Sequence, residues 1–149
     1  MKKAVLALFL LIFLMGCTDK ETGILEVREN MFLTQIDNIY LNYRDYLGRT
    51  IKLEGFFMHD SWGDDNWFLV VRGIPDCCGE GAYTGFEVSW DPDYRGIHQN
   101  PDISRWPETG EWVEAIGVLG HYNYMGDRLF LALTELNILE TRGQDFVYR

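Results

Sequence analysis

From residue 50 to residue 139 the chain is a succession of short apolar or alternating runs, broken by turn-forming clusters about every ten residues, and this spacing restricts the fold more than any other feature. In residues 50–58, Ile51, Leu53 and Gly55 fall on one side and Lys52 and Glu54 on the other, with Phe56 and Phe57 extending the run. Residues 59–66 (His59, Asp60, Ser61, Trp62, Gly63, Asp64, Asp65, Asn66) read as a polar connection to a second strand, 67–72. A third strand, 85–90, alternates Phe86, Val88 and Trp90 with Glu87 and Ser89. A fourth, 111–119, places Trp112, Val113 or Ala115, and Val118 among polar positions, and a turn at Gly126-Asp127 leads to a fifth, interrupted strand over 128–139. Residues 91–110 hold three of the four prolines and predict an irregular excursion of the length that marks a binding loop.

Ahead of these strands, residues 24–28 read as a short strand, and Asn30 is placed to cap a helix over 31–43. Phe32, Ile36, Ile39, Tyr40 and Tyr43 recur at spacings of three and four, which gives that helix one apolar face. Residues 144–149 form a short aromatic tail. The expected fold is mainly β (α+β): a small OB-like Greek-key barrel of about five strands with one N-terminal amphipathic helix. An open antiparallel sheet with a packed helix is the alternative.

The first sixteen residues stand apart. Lys2 and Lys3 precede an apolar run from Ala4 to Leu14, and Leu14-Met15-Gly16-Cys17 follows directly. The tetrapeptide resembles a bacterial lipobox, in which Cys17 is acylated and becomes the new N-terminus. The other reading, an uncleaved anchor, requires an apolar run of roughly 20 residues, longer than this one. The expected organisation is a lipoprotein signal peptide at 1–16, the lipidated cysteine and a flexible tether at 17–23, and one domain at 24–149. Since each buried methylene contributes about 0.8 kcal/mol, several acyl chains hold such a domain firmly on the outer side of the cell membrane.

Removing residues 1–16 takes away two lysines and no acid, so the formal charge moves from −10 to −12. So acidic a domain disfavours nucleic acid as a partner and attracts cations; the simpler consequence of the charge is solubility. Of three cysteines, acylation of Cys17 leaves the adjacent Cys77 and Cys78. Outside the cytoplasm such a pair is oxidised, metal-bound or buried. Thiolates select soft or borderline cations such as zinc or copper, and Asp76, Glu80, His59, His98 and His121 are the side chains available to complete a shell. The spacing matches no established zinc signature. A strained vicinal disulfide acting as a redox switch and a buried, inert cysteine are the other two readings. Trp62, Trp67, Trp90, Trp106 and Trp112 either line a ligand groove or belong to the core. The carboxylates Asp60, Asp64 and Asp65 lack the register of a calcium loop and read as a solvated turn. No catalytic constellation is visible.

The segments Ile39-Tyr40-Leu41-Asn42, Tyr46-Leu47-Gly48-Arg49-Thr50-Ile51-Lys52-Leu53-Glu54-Gly55-Phe56, Trp67-Phe68-Leu69-Val70-Val71-Arg72 leading into Cys77-Cys78, and Trp112-Val113-Glu114-Ala115-Ile116-Gly117 together resemble the C-terminal domain of the YcgQ-like bacterial family. The resemblance implies that domain type, the Cys-Cys position and, as a partner class, a membrane permease or other envelope protein. Gly79-Glu80-Gly81 after the pair departs from the permease-partner pattern. The functional expectation is a lipid-anchored, extracytoplasmic binding or accessory module, with a thiol-disulfide protein or a structural envelope domain as alternatives.

Overall fold

The computed structural model describes residues 23–75, 81–99, 101–124 and 126–147. In chain order they form β1 (Leu25–Glu26), a 3-10 turn (Glu29–Met31), α1 (Phe32–Leu41), α2 (Tyr43–Tyr46), β2 (Thr50–Trp62), β3 (Asp65–Ile74) and β4 (Ala82–Ser89). After these come β5 (His98–Gln99), a second 3-10 turn (Ile103–Arg105), β6 (Trp112–Asn123) and β7 (Asp127–Ile138).

β2, β3, β4, β6 and β7 close a barrel. β2 pairs antiparallel with both β3 and β6, β3 with β4, and β6 with β7, while β4 and β7 run parallel. Each of the five therefore has a neighbour on both sides. Counted among themselves they follow the order 1-2-3-5-4-1, with the third and fifth parallel, which is the OB arrangement. Inward positions alternate as the pleat demands: Ile51, Leu53 and Phe57 of β2, Phe68 and Val70 of β3, and Phe86 and Val88 of β4 are at most 1% exposed. Gly55 continues the inward row of β2, and a Cβ there would lie 2.6 Å from the Val71 carbonyl oxygen. The expected interruption of the last strand is a bulge. Ile116 pairs with Glu135 and Gly117 with Leu133, so Thr134 is the extra residue, and its hydroxyl donates to the Ile116 carbonyl at 3.1 Å.

Different elements seal the two ends. At the end where β2, β4 and β7 begin, α1 contributes Phe32, Leu33, Ile36 and Ile39 to the core. The Tyr40 ring stacks on Phe86 at 5.5 Å, and its hydroxyl donates to the Gly85 carbonyl at 2.9 Å. Asn30 does not cap this helix: it lies inside the preceding 3-10 turn, and Met31 occupies the cap position without a side-chain bond. The helix start is tied down by Gln35, which accepts from the Arg28 amide and donates to the Glu26 carbonyl. At the opposite end lies the connection from β4 to β6. Most of it is irregular, as expected, but β5 pairs with Asp65 and Asn66, and the Trp106 ring stacks on Phe68 at 4.0 Å and Phe57 at 5.7 Å.

Two boundaries differ from the sequence reading. Residues 59–66 are not a loop, because His59–Phe68, Asp60–Trp67, Ser61–Asn66 and Trp62–Asp65 are paired across β2 and β3. Only Gly63 and Asp64 make the turn. The end of this hairpin is exposed, so it carries polar residues that read as a connection. The tail, in turn, is part of the barrel wall. Beyond Val71, where β3 has left β2, Gly73 donates to the Asp145 carbonyl and accepts from the Val147 amide, and Val147 is buried.

Candidate functional site

With the interior filled, the chemistry open to solvent lies on the outer face. Pairing of Met58 with Leu69, Leu69 with Glu87 and Glu87 with Phe130 makes one row of outward side chains across β2, β3, β4 and β7. The β2–β3 hairpin raises Asp60, Trp62 and Trp67 on one flank of this row. The β6–β7 hairpin raises Tyr122, Tyr124 and Arg128 on the other. Between them is an open groove of about 370 Å³ floored by Met58, Leu69 and Glu87. Its volume lies within the range of small-molecule sites. Trp62 is 83% exposed and Tyr124 41%, so both present ring faces to water at the rim.

Glu87 is the polar centre of the floor. It accepts hydrogen bonds from the Tyr122 hydroxyl at 2.5 Å and the Tyr94 hydroxyl at 3.3 Å. Burial pushes its carboxyl above the ordinary range; the two tyrosine bonds and the Arg128 charge act in the opposite direction. Burial and the carboxylate together raise the Tyr94 and Tyr122 phenols, so both remain donors. Tyr40, behind the same strand, is pushed up to about 12 for the same two reasons. Tyr94, Tyr122 and Phe130 pack as a small buried cluster that locks the two donors in place. Sequence reasoning passed over Glu87, Tyr94, Tyr122 and Arg128. The only available signal was the strand order, which puts these distant positions on the face that OB barrels use for ligands.

The five tryptophans divide. Trp62 and Trp67 line the groove, Trp112 is buried, and Trp90 and Trp106 meet at 6.2 Å at the barrel end that Trp106 closes. Asp60, Asp64 and Asp65 lie on the β2–β3 hairpin, with Asp60 facing the groove.

Cys17, Asp76, Cys77, Cys78 and Glu80 lie outside the described residues. His59 and His98 both pack against Phe68, each ring 5.0 Å from it. His59 Nε2 is 2.8 Å from Asn66 Oδ1, and Asn66 donates to the His98 carbonyl at 3.4 Å. His98 stacks on Tyr94 at 4.5 Å, and burial pushes its pKa down, which keeps the ring neutral. Ile74, at the Cys-Cys end of β3, is six residues from Phe68, roughly 20 Å at the rise of a strand. His121 stands elsewhere, stacked on Tyr43 at 5.1 Å and paired with Asp127 at 3.0 Å. Among the described residues no group of three or more His, Cys, Asp or Glu side chains is arranged to hold a metal ion. Nor is any helix among them long and apolar enough to cross a membrane.

A second buried polar feature stands at the α1 end. Arg72, 1% exposed, donates to the Glu54 carbonyl at 2.8 Å and meets the Glu29 carboxylate at 3.3 Å. Its guanidinium lies between the rings of Phe32 and Trp112, at 4.7 and 4.9 Å. This is a structural plug: it shares β3 with the groove residues Trp67 and Leu69 but does not line the groove.

The strand order and the flanked outer face define an OB-type barrel domain. The sequence matches the DUF1980 C-terminal domain over residues 15–149, and the chain belongs to that family, the YcgQ-like one that its motifs resemble. No curated protein matches it. Among solved structures it is similar to the dimeric N-terminal domain of the PriB protein from Thermoanaerobacter tencongensis, at 15% identity and a TM-score of 0.35 over 62% of this chain and 97% of that one.

Proposed function

We propose that the protein is a binding module of the cell envelope, held on the extracytoplasmic side by acyl chains on Cys17, whose ligand occupies the groove between the β2–β3 and β6–β7 hairpins. One observation carries the binding reading. An aromatic-rimmed groove is built around a half-buried carboxylate that two locked tyrosines hydrogen-bond. Preorganised polar groups on an apolar floor are what a ligand site requires, and a purely structural face has no use for them. A permease or other envelope protein is the partner class that the family resemblance supplies.

The test has two arms. Cells making the wild type or Cys17→Ala are labelled with palmitate and fractionated; label and membrane association are expected for the wild type only. Equal labelling of the two removes the anchoring claim. The full-length protein in detergent is then titrated with fractionated envelope components, following tryptophan fluorescence, alongside Trp62→Ala and Tyr124→Ala. A component that binds the wild type and both variants equally rules out the groove.

A further inference from the structure

We infer that the groove takes a neutral oligosaccharide; the inference rests on the groove being the binding face proposed above. Charge removes the polymeric ions first. The chain carries a formal charge of −10, which repels nucleic acid and other polyanions. Within the groove, the single charge of Arg128 stands against the two carboxylates of Asp60 and Glu87 and reduces the attraction for a polycation.

On the groove floor Leu69 and Glu87 lie in strands paired on both sides, so the floor offers a ligand side chains and no free strand edge. The hairpin ends that carry Asp60, Trp62 and Arg128 are paired on one side only, and they stand at the walls. Recognition on the floor is therefore by side chains.

Those side chains fit a polyhydroxylated ring. A sugar hydroxyl both donates and accepts, and the groove sets a carboxylate acceptor at Asp60 opposite a five-donor guanidinium at Arg128. Among the described residues the Asp60 carboxylate and the Arg128 guanidinium make no side-chain hydrogen bond or salt bridge, although Arg128 lowers the Glu87 pKa through its charge. The Trp62 and Tyr124 rings at the rim supply flat apolar faces for the carbon-hydrogen face of a pyranose, with a polar tip on each ring to hold its edge. OB barrels with this strand order bind oligosaccharides as well as oligonucleotides, and the charge selects the former.

The experiment is calorimetric titration of the full-length protein in detergent with chitotetraose, cellotetraose and maltotetraose, and with tetralysine as the cationic comparison. The same titrations are run on Trp62→Ala and Arg128→Gln, both exposed enough to leave the fold intact, as circular dichroism would verify. The expected result is binding of at least one tetrasaccharide, weakened tenfold or more in each variant, and no binding of tetralysine. Failure of every tetrasaccharide to bind overturns the inference. If tetralysine alone binds and Trp62→Ala abolishes it, the glycan is overturned while the groove stands. A tetrasaccharide bound equally by the wild type and both variants overturns the inference and the groove reading together.

Discussion

Replacing Arg72 by alanine tests whether the α1 end of the barrel depends on one guanidinium. Three losses follow from its surroundings. The Glu54 carbonyl loses a buried donor at 2.8 Å, and an unsatisfied buried acceptor costs about 1–3 kcal/mol. The contacts with the Phe32 and Trp112 rings disappear; desolvated cation–π contacts are worth about 1–2 kcal/mol each. A void is left between Phe32 and Trp112, 1% and 3% exposed, which adds on the order of 1 kcal/mol. The Glu29 carboxylate, with its side chain 48% exposed, rehydrates when the arginine goes and contributes little. Allowing for shared terms, the expected loss is about 3–5 kcal/mol, or roughly 10–20 °C in Tm for a domain of this size. Urea unfolding followed by tryptophan fluorescence measures it, with Glu29→Gln as the comparison at under about 1 kcal/mol. If Arg72→Ala costs no more than Glu29→Gln, the plug is decorative and this account of the barrel end fails.

Three further outcomes follow from the same geometry. Gly85→Ala is expected to be insoluble or to lose at least about 2 kcal/mol, because the new Cβ would sit 2.1 Å from the Val70 carbonyl oxygen at a φ of 154°; wild-type-like urea unfolding would contradict the close approach. Trp106→Ala should cost about 3–5 kcal/mol if its ring is the seal stacked on Phe68 and Phe57, as calorimetric Tm would register. Glu87 has a raised folded-state pKa, so it contributes stability that is fully present below the ordinary carboxylate range and is lost as pH rises through the raised value. Glu87→Gln removes that loss, so its unfolding free energy should gain on the wild type as pH rises above the ordinary carboxylate range; parallel profiles for the two proteins would show that burial does not perturb this carboxyl.

The barrel was legible because its inward residues obey a period of two over runs long enough to see. Ile51, Leu53, Phe86 and Val88 were placed on the correct side from alternation alone, and Phe32, Ile36 and Ile39 from helical spacing. Alternation failed at the β2–β3 hairpin, where the exposed strand ends carry polar residues such as Asp60, Ser61 and Asp65, and the pairing hid under them. Asn30 fits the composition of a helix cap, but Gln35 ties down the helix start instead, a contact across seven residues that no local pattern announces. The groove was less legible still. Its carboxylate comes from β4, its donors from the β4–β6 connection and β6, and its rim from two hairpins, so only closure of the barrel assembles it.

That closure also bears on the proposed binding face. In a five-strand barrel the inward side chains fill the interior, and here those described are nearly all below a few per cent exposure, with α1 packed at one end and Trp106 at the other. Its outer face would be solvated and polar if stability were its only role. Instead it exposes Trp62 on a hairpin tip where any polar residue would serve, beside a carboxylate held in an environment that disfavours its charge. Both choices oppose folding stability, and both lie on the same groove. Such local conflicts are expected where function requires them, which is the support they lend to the binding role proposed for the face bounded by Trp62, Glu87 and Arg128.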